Sequence, residues 1–324
     1  HLALFCPFSC GPARGNITSV QRITRHLQRI GCTISLVQLD QPDWSEQLAQ
    51  LQAAPPDILH GFHAYHAGPA IRTTAQQLQV PYVITLTGSD LFDQAFRCHP
   101  ATRETIRDAA MVTCFDPLVA QIAAEQLPLT NGKLEVVPQG VEPFPNIIPR
   151  TTADNALTIL LPAALRPVKG IDWAIEQLEP LAAQLSRLQL WIAGGVLDVV
   201  HAERICALAA DLPWVQLLGE IPYQSMGSLY TAADFVLNSS LFEGGMANAL
   251  LEAMVMARPV LARDIPGNRS LVDHGRTGWL YDSGAALREL ILTYAEQPDL
   301  RLSIGQAAQQ HVTAHFSPEQ EAQR

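Results

Sequence analysis

Short apolar runs alternate with amphipathic segments along most of this sequence, and that alternation constrains its fold most strongly. Residues 2–8, 33–39 and 57–62 are apolar runs of strand length, and each is followed by a segment with helical spacing of its apolar residues. Strands that alternate with helices are typical of a parallel sheet covered by helices on both faces. The pattern predicts an α/β protein with doubly wound parallel sheets.

A second series of apolar runs and helical segments begins near Ala156. The preceding residues, 139–155, are rich in Pro and polar residues and show no periodicity, which is typical of a linker. A chain of 324 residues is also long enough for two domains that each bury a sizeable core. We therefore predict a first domain at 1–148 and a second at 149–324.

The charge balance excludes some classes of partner. Lys and Arg number 21 against 31 Asp and Glu, and the net charge of −10 argues against nucleic acid or an anionic membrane as the main partner. No apolar run approaches the roughly 20 residues that span a bilayer. Residues 1–11 are predicted to begin with a strand rather than to form a signal peptide. We expect a cytoplasmic enzyme or binder, and the sequence indicates no particular oligomeric state.

Cysteine usage agrees with a reducing compartment. The six cysteines lie scattered through predicted strands and helices, and no two of them form a CxxC pair. In a chain of this size, such a distribution is typical of reduced, mostly buried thiols. We expect no disulfide and no cysteine-bound metal.

The loop between an apolar run at 233–237 and the following helix carries the strongest indication of a ligand site. Glycines in this loop allow the backbone to approach a ligand closely. The N–H groups of the first helical turn form an anion site with the positive end of the helix dipole, which favours a phosphate. The residues predicted to line this site are Gly244, Gly245, Met246, Ala247, Asn248 and Ala249.

Two carboxylates, Glu243 and Glu252, bracket this loop. Because a carboxylate repels a phosphate, we interpret both as acceptors of hydrogen bonds from sugar and ribose hydroxyl groups. The alternative is that Glu243 is an ordinary loop residue and Glu252 a solvated helix residue. The first interpretation predicts a sugar nucleotide as the ligand.

Loops in the first half also indicate a ligand site. Gly15 and Asn16 end a glycine-containing loop that opens a helix, although its spacing is not that of a dinucleotide-binding GxGxxG motif. Ligands of parallel sheets gather beyond the carboxyl ends of the strands, so His63 and the segment 87–90 should share one edge. The candidate ligand-binding residues of this half are Gly15, Asn16, His63, Thr87, Gly88 and Asp90.

The segment HGFHAYH raises a zinc hypothesis, because His60, His63 and His66 are spaced three residues apart. However, His60 falls on a predicted strand and the other two beyond it, and no nearby Cys or carboxylate completes a ligand set. We predict no metal site here. Instead, we expect one imidazole of this loop to contact a substrate hydroxyl.

Several segments resemble the donor-binding signature of family 4 glycosyltransferases. These are EGGMANALLEAM, RPVLARDIPGN and DHGRTGWLY, and the segments GNITSVQRITRHLQRIG and LLPAALRPVKG extend the resemblance over most of the chain. The resemblance implies a GT-B fold, in which two Rossmann-like domains face each other across a cleft and the last helix crosses back to the first domain. The chain is similar to the glycosyltransferase 1 domain-containing group at PVLARDIPGN, and to the selenosugar synthase branch at LTGSDLF and EGG.

The resemblance also assigns roles to the two glutamates. In the family, a first glutamate orients the transferred sugar and a second one, after seven intervening residues, binds the ribose; these correspond to Glu243 and Glu252. This chain has eight residues between them, and we place the extra residue at Gly244–Gly245. The extra residue affects the direction of the Glu243 side chain more than that of the Glu252 side chain.

Two cations complete the pattern that resembles the family. Arg166 and Lys169 lie on the loop after a predicted strand at 157–161, where two positive charges match a diphosphate and where the family has an Arg and a Lys. Thr87 stands where many family members carry a histidine that contacts the donor sugar. A threonine hydroxyl can donate or accept a hydrogen bond there, but it cannot carry a charge.

Together these features predict a retaining, metal-independent glycosyltransferase of the hexosyltransferase type. Its donor would be a nucleoside diphosphate sugar, UDP-linked by resemblance, with an unknown acceptor and no cofactor; Glu243, Arg166 and Lys169 would be the catalytic residues. No acidic cluster of the kind that holds a divalent ion to a diphosphate is present.

Other functions remain open at this stage. A GT-B protein could epimerise or hydrolyse a sugar nucleotide, or only bind it, but the presence of Arg166, Lys169, Glu243 and Glu252 together favours transfer. An NAD-dependent dehydrogenase is disfavoured because neither glycine loop has the dinucleotide fingerprint.

Overall fold

The computed structural model of this chain describes residues 1–9, 15–130, 132–150 and 155–324. The chain forms two compact units. The first contains residues 1–140, 244–246 and 318–324, and the second contains residues 141–243 and 247–317. The first change of unit thus falls at 140/141, where we predicted 148/149.

The first unit is built on one six-stranded parallel sheet. Its strands are β1 (Leu2–Cys6), β2 (Ile34–Gln38), β3 (Ile58–Phe62), β4 (Tyr82–Thr85), β5 (Met111–Cys114) and β6 (Leu134–Val136). The order across the sheet is β2-β1-β3-β4-β5-β6, and every neighbouring pair is parallel. Strand order reverses at β1, and ligands of open α/β sheets bind beyond the strand ends at such a point.

Helices cover both faces of this first sheet. Those that precede residue 140 are α1 (Gly15–Arg29), α2 (Trp44–Ala53), α3 (Gly68–Leu78), α4 (Ser89–Phe92), α5 (Gln94–Arg97), α6 (Pro100–Asp108) and α7 (Pro117–Gln126). Leu59 and Ile84 are fully buried in the core on one face, whereas Leu4 and Phe62 pack with Val20 of α1 in a second cluster. Because both faces are covered, the strands are apolar runs rather than alternating patterns.

The second unit repeats this architecture with its own six-stranded parallel sheet. Its strands are β7 (Leu157–Pro162), β8 (Leu188–Ala193), β9 (Val215–Gly219), β10 (Phe235–Asn238), β11 (Val260–Arg263) and β12 (Trp279–Tyr281), in the order β12-β11-β10-β7-β8-β9. All neighbours are again parallel. The predicted α/β class with two doubly wound parallel sheets is therefore confirmed.

The helices of the second unit alternate with these strands. They are α8 (Ile171–Gln184), α9 (Val199–Ala209), α10 (Met226–Ala232), α11 (Asn248–Val255), α12 (Pro266–Arg269), α13 (Gly284–Ala295) and α14 (Pro298–His315). Side-chain caps define several starts: Asp198 accepts a hydrogen bond from His201 N ahead of α9, and Ser283 accepts one from Ala286 N ahead of α13. The core of this unit includes the fully buried Trp279 and Tyr281 of β12.

The C-terminal helix α15 (Pro318–Gln323) belongs to the first unit and packs on α1. Arg22 donates two hydrogen bonds of 2.8 Å to the carboxylate of Glu321, and both side chains are buried. Gly140 lies so close to Pro318 that a Cβ on the glycine would be 2.4 Å from Pro318 Cα. A buried ion pair and a close backbone contact therefore hold this end of the chain.

None of the helices in the described ranges has both the length and the apolar character needed to cross a membrane. The five described cysteines are Cys6, Cys32, Cys98, Cys114 and Cys206, and each carries a free thiol. Burial raises the pKa of the Cys6 and Cys114 thiols to about 11, so both are protonated at neutral pH. Cys10 lies outside the described residues.

Candidate active site

An ion pair between Lys169 and Glu243 lies at the carboxyl edge of the second unit's sheet. Lys169 Nζ is 2.7 Å from Glu243 Oε1, and Asn238 Nδ2 donates to the same oxygen at 3.1 Å. Burial alone would raise the pKa of Glu243, but the Lys169 charge and hydrogen bonds from Lys169, Ser240 and Asn238 hold this pKa below its ordinary value. The Glu243 carboxylate is therefore ionised at neutral pH.

Hydrogen bonds join the two loops that carry this ion pair. Ser239 Oγ donates to Lys169 O at 2.7 Å, and Leu241 N donates to Val168 O at 2.8 Å. Gly170 follows Lys169 with φ of +58°, and a Cβ there would lie 2.5 Å from Ser239 O. Only glycine fits a left-handed position this close to a neighbouring carbonyl. The segments RPVKG and NSSLFEG thus meet because the loops after β7 and β10, which are adjacent strands, are bonded to each other.

A chain of two asparagines supports Glu243 from behind. Asn268 is fully buried on α12, and its Nδ2 donates to Asn238 Oδ1 at 3.1 Å and to Arg263 O at 2.9 Å. The hydroxyl of Tyr281 donates to Asn238 O at 2.7 Å. Asn238 in turn donates to Glu243, so Asn268 acts on Glu243 through one intermediate side chain. Neither asparagine was predicted from the sequence to be a site residue. Asn268 is the last residue of the segment RPVLARDIPGN, so its place in that motif could have pointed to it.

Arg166 lies on the same loop as Lys169. It precedes the 3₁₀ turn Pro167–Lys169, has an extended backbone, and is exposed. Lys169 is the last residue of that turn and is half-buried. The loop therefore brings both cations to the carboxyl end of β7, and Lys169 contacts Glu243.

Glu252 lies inside α11 and is buried, which differs from the solvated helix residue of the alternative interpretation. Its Oε2 accepts a 2.7 Å hydrogen bond from the hydroxyl of Tyr230 on α10. Burial, together with the negative charge of Glu252, raises the pKa of Tyr230 well above its ordinary value. The phenol therefore stays protonated and keeps donating to Glu252. Tyr230 is a third residue that the sequence motifs did not reveal.

The start of α11 has no side-chain cap. Ala247 precedes the helix with an extended backbone and offers no side chain that could accept from the N–H groups of the first turn, near Asn248 and Ala249. The anion site that we predicted at this helix start stays a prediction. Ala247 is buried, whereas Asn248 and Ala249 are half-buried.

Gly244, Gly245 and Met246 belong to the first unit, in contrast to the residues on either side of them. A Cβ on Gly244 would lie 2.2 Å from Thr87 O, and one on Gly245 would lie 2.8 Å from Phe115 Cβ. Gly88 has φ of +130°, and a Cβ there would lie 2.8 Å from Gly244 Cα. The close approach that we predicted for these glycines is made to the protein's own atoms.

Asp90 is fully buried, and its carboxylate binds backbone N–H groups. Oδ1 accepts from Thr87 N at 3.0 Å and from Gly88 N at 2.9 Å, while Oδ2 accepts from Ala64 N at 2.9 Å. These bonds tie the loop after β4 to the loop after β3. Both oxygens are thus used by the protein, and Asp90 anchors the edge of the sheet at which we expected it to bind a ligand.

His63 is buried at the carboxyl end of β3, and protein atoms surround both of its ring nitrogens. Nδ1 accepts from Tyr65 N at 3.2 Å and from His66 N at 3.3 Å, and Nε2 is 2.8 Å from Ser89 Oγ. His63 has φ of 79°, a left-handed conformation that is uncommon for a residue with a side chain. The contact between one imidazole of this loop and a substrate hydroxyl stays a prediction.

His60, another histidine of the zinc hypothesis, contacts a protein side chain. His60 Nε2 lies 2.6 Å from Thr85 Oγ1, and burial lowers the pKa of His60 to about 4. Within the parts of the chain that the structure describes, no group of three or more His, Cys, Asp or Glu side chains is placed to hold a metal ion. Gly15 and Asn16 are the first residues of α1, but their side chains and the loop at 10–14 lie outside the described residues.

Two family models match the chain, one in each half. Residues 156–297 match the model described as glycosyl transferases group 1, and residues 23–140 match the model described as glycosyl transferase 4-like domain. The first match contains the Lys169–Glu243 pair and Glu252. The second contains His63 and the loop at 87–90.

Curated relatives point to the same class of proteins. The glycosyltransferase 1 domain-containing protein 1 of Xenopus tropicalis is 26% identical over 326 residues, which cover 95% of this chain and 91% of that protein. The amylovoran biosynthesis glycosyltransferase AmsK of Erwinia amylovora is 32% identical over 183 residues, which cover 54% of this chain and 43% of that protein. The first relative bears the name of the group that the chain resembles at PVLARDIPGN, whereas the resemblance to the selenosugar synthase branch stays a prediction.

Solved structures share the fold over nearly the whole chain. Sucrose-phosphate synthase from Thermosynechococcus elongatus superposes with a TM-score of 0.82 at 18% identity, over 99% of this chain and 96% of that one. Anabaena HepE, solved in complex with UDP and glucose, superposes with a TM-score of 0.80 at 17% identity, over 99% of this chain and 97% of that one. These likenesses confirm the predicted GT-B fold.

Proposed function

Because this chain belongs to the group 1 glycosyltransferases of the GT-B fold, we propose that it transfers a sugar from a UDP-sugar to an acceptor with retention of the anomeric configuration. The observation that carries the proposal is the ionised Glu243, bonded to Lys169 and Asn238 at the carboxyl edge of the second sheet. A largely buried carboxylate at the carboxyl edge of a sheet, held by a cation and an amide, is suited to orienting a sugar through its hydroxyl groups.

The diphosphate of the donor is bound by cations and backbone N–H groups. Arg166 and Lys169 lie on one loop, and the uncapped first turn of α11 follows Glu243 by a few residues. Charge-assisted hydrogen bonds of this kind contribute about 1.5–3 kcal/mol each. Because these cations neutralise the diphosphate, the reaction requires no metal ion.

The reaction proceeds on one face of the donor sugar. The bond between the anomeric carbon and the leaving phosphate oxygen breaks, and the acceptor oxygen forms its bond to that carbon on the same face. The acceptor's proton passes to the departing phosphate oxygen. Lys169 and Arg166 stabilise the negative charge that develops on the leaving diphosphate, which is where cations are most effective.

Glu243 and Glu252 act on different parts of the donor. Glu243 orients the transferred sugar, since a carboxylate paired with a lysine is better suited to hydrogen bonding than to attack at carbon. Glu252, fixed by Tyr230, accepts hydrogen bonds from the ribose. The donor is thus held at its sugar, its diphosphate and its nucleoside by residues of one unit.

Calorimetric titration with UDP and with a panel of UDP-sugars tests this proposal. We expect UDP to bind the wild type, and Arg166→Ala together with Lys169→Ala to weaken its affinity at least tenfold. The matched control is Arg204→Ala on α9, because Arg204 is exposed and contributes only surface ion pairs. Equal affinity for UDP in the wild type and the double variant would contradict the proposal. Activity that is lost on chelation and restored by magnesium or manganese would contradict the metal-independent reaction.

Product analysis separates transfer from the other reactions of sugar nucleotides. A transferase releases UDP faster when an acceptor is present, and NMR of its product shows the donor's anomeric configuration. Epimerisation would instead change the sugar while it stays linked to UDP. Hydrolysis would release the free sugar at a rate that no acceptor changes.

A further inference from the structure

The hydroxyl group of Ser89 has a fixed orientation at the carboxyl edge of the first unit's sheet. A backbone N–H can only donate, so the two N–H groups that bond to His63 Nδ1 require that atom to be unprotonated. The proton of the neutral imidazole is therefore on Nε2, which donates to Ser89 Oγ at 2.8 Å. Because Oγ accepts this bond, the hydroxyl hydrogen of Ser89 points away from His63.

That hydrogen is available to a ligand. Among the described residues, Ser89 Oγ has no hydrogen-bond partner other than His63. Ser89 is half-buried at the start of α4, just after β4, at the edge where ligands of parallel sheets bind. An outward hydroxyl in this position donates to an oxygen of a bound molecule.

The backbone of His63 is strained in the arrangement that orients Ser89. His63 keeps its left-handed conformation, which is strained for a residue with a side chain. Its N–H donates to Thr85 O at 2.9 Å, and the next residue, Ala64, donates to Asp90. Residues held in such conformations by their surroundings cluster at ligand sites.

Aromatic rings surround His63 and Ser89. The ring of Phe96 is 4.6 Å from that of Tyr65 and 5.2 Å from that of His66, and it meets His63 edge-on at 5.8 Å. Tyr65, His66 and Phe96 are all half-buried, so parts of their rings remain accessible. Accessible ring faces beside a hydroxyl donor match a sugar, whose C–H face packs on aromatic rings while its hydroxyl oxygens accept hydrogen bonds.

We propose that Ser89, Tyr65, His66 and Phe96 form a subsite for a carbohydrate ring in the first unit, and that this ring belongs to the acceptor. The Ser89 hydroxyl donates a hydrogen bond to a hydroxyl oxygen of this carbohydrate. His63 is the positioning residue that orients the Ser89 hydroxyl. The assignment to the acceptor rests on the proposed glycosyl transfer, in which Arg166, Lys169, Glu243 and Glu252, all in the second unit, bind the donor. The acceptor is therefore a glycoside.

Direct binding of methyl glycosides tests the subsite without a donor. Saturation-transfer NMR with the methyl glycosides of glucose, galactose, mannose and N-acetylglucosamine should detect at least one ligand of the wild type. For that ligand, Ser89→Ala should raise the Kd about 5- to 10-fold, as expected for the loss of one hydrogen bond. Ser89→Thr should retain most of the affinity, and Phe96→Ala should abolish detectable binding. Ser45→Ala and Trp44→Ala, both on the exposed start of α2, serve as controls and should change nothing.

A double-variant cycle tests the role of His63. His63→Ala should raise the Kd as much as Ser89→Ala does, and the two changes together should raise it no further, because both remove the same oriented hydroxyl. Independent, multiplying effects would show that His63 does not act through Ser89.

Three results would overturn the subsite: no glycoside binding to the wild type, wild-type affinity in Ser89→Ala and Phe96→Ala, or weaker UDP-sugar binding with unchanged glycoside binding. The last result would assign the ring to the donor. If glycosides bind as expected but UDP does not, the proposed function fails and the carbohydrate subsite stands.

Discussion

The hydroxyl of Tyr230 donates a 2.7 Å hydrogen bond to Oε2 of Glu252, and both side chains are buried in the second unit. Tyr230 lies on α10 and Glu252 on α11, so the bond links two helices that flank the loop of Glu243. Without this bond, the Glu252 side chain could adopt several rotamers. The bond from Tyr230 fixes one of them, and with it the orientation of the carboxylate that we propose to bind the ribose.

Removal of this hydroxyl should weaken donor binding more than it slows the chemical step. In Tyr230→Phe, Glu252 loses the bond that orients it, and we expect the KM for the UDP-sugar to rise about tenfold with kcat within roughly twofold of the wild type. Steady-state kinetics at saturating acceptor measures both constants. The matched control is Tyr82→Phe, which removes a buried 2.7 Å bond to Thr105 O in the first unit and should leave the donor KM unchanged. A fall in kcat alone would contradict the assignment of Glu252 to the ribose.

The motif around Glu252 could be predicted from the sequence, but Tyr230 could not. Glu252 stands in a helix that follows a glycine loop, and this local order of residues is visible in one dimension. Tyr230 reaches Glu252 only because α10 and α11 flank β10 in the folded unit. Asn268 was missed for the same reason, since it acts on Glu243 through Asn238 from a separate helix.

Periodicity predicted the long elements and failed for the short ones. The apolar runs at 2–8, 33–39, 57–62, 157–161 and 233–237 each overlap an observed strand, because each is apolar over several residues. Helices α4, α5 and α12 have four residues each and β12 has three, which is too short to show a period. Asp90 shows a further limit: its segment was predicted to lie at the ligand edge, yet the carboxylate turns inward to backbone N–H groups that no sequence pattern reveals.

The ion pair with Lys169 sets the pH at which Glu243 is protonated. Lys169 lowers the pKa of this buried carboxyl group, so Glu243 stabilises the fold above its unfolded-state pKa, and that stability is lost as the pH falls through the folded-state pKa. In Lys169→Met the burial remains and the cation is gone, so the pKa of Glu243 should rise. We expect the acidic limb of kcat/KM against pH to move to higher pH, in addition to an overall loss of activity.

The position of the acidic limb of kcat/KM against pH distinguishes a raised Glu243 pKa from the loss of a side chain that binds the diphosphate. Arg166→Met should lower kcat/KM while leaving the limb in place, since no hydrogen bond or charge effect of Arg166 contributes to the depressed pKa of Glu243. The same shift in both variants, or no shift in Lys169→Met, would contradict the coupling between Lys169 and Glu243.

Asn268 should influence catalysis although it is proposed to touch no substrate. Asn268→Ala removes the bond that orients Asn238, and Asn238 is one of the donors to Glu243. We expect kcat to fall about tenfold with a smaller change in donor KM, because a displaced orienting group affects the transition state most. Thr277→Val is the control: it removes the 2.9 Å bond that Asp273 N donates to the buried Thr277, and it should destabilise the fold without this fall in kcat. Equal kinetic effects of both variants would show that Asn268 acts only through stability.

The buried pair of Arg22 and Glu321 should dominate the attachment of the C-terminal helix to α1. Arg22→Met leaves the Glu321 carboxylate buried without its bidentate partner, and breaking such a pair costs about 3–5 kcal/mol of unfolding free energy. Urea unfolding followed by circular dichroism measures this loss. The double variant Arg22→Met with Glu321→Leu should recover most of it, since no charge then remains buried. Equal stability of Arg22→Met and the wild type would show that α15 is held by its other contacts.

Replacement of Glu243 by glutamine tests how the carboxylate acts in the transfer. The glutamine side chain would keep an oxygen and an amide for hydrogen bonds to the sugar, whereas it could not attack the anomeric carbon. If Glu243 orients the sugar, Glu243→Gln should retain part of the wild-type kcat, roughly 1–10%, and Glu243→Ala should retain less. A nucleophile changed in this way would lose nearly all activity in both variants. Mass spectrometry of the wild type under turnover should therefore show no sugar covalently bound to Glu243, and an adduct on that residue would establish the covalent mechanism instead.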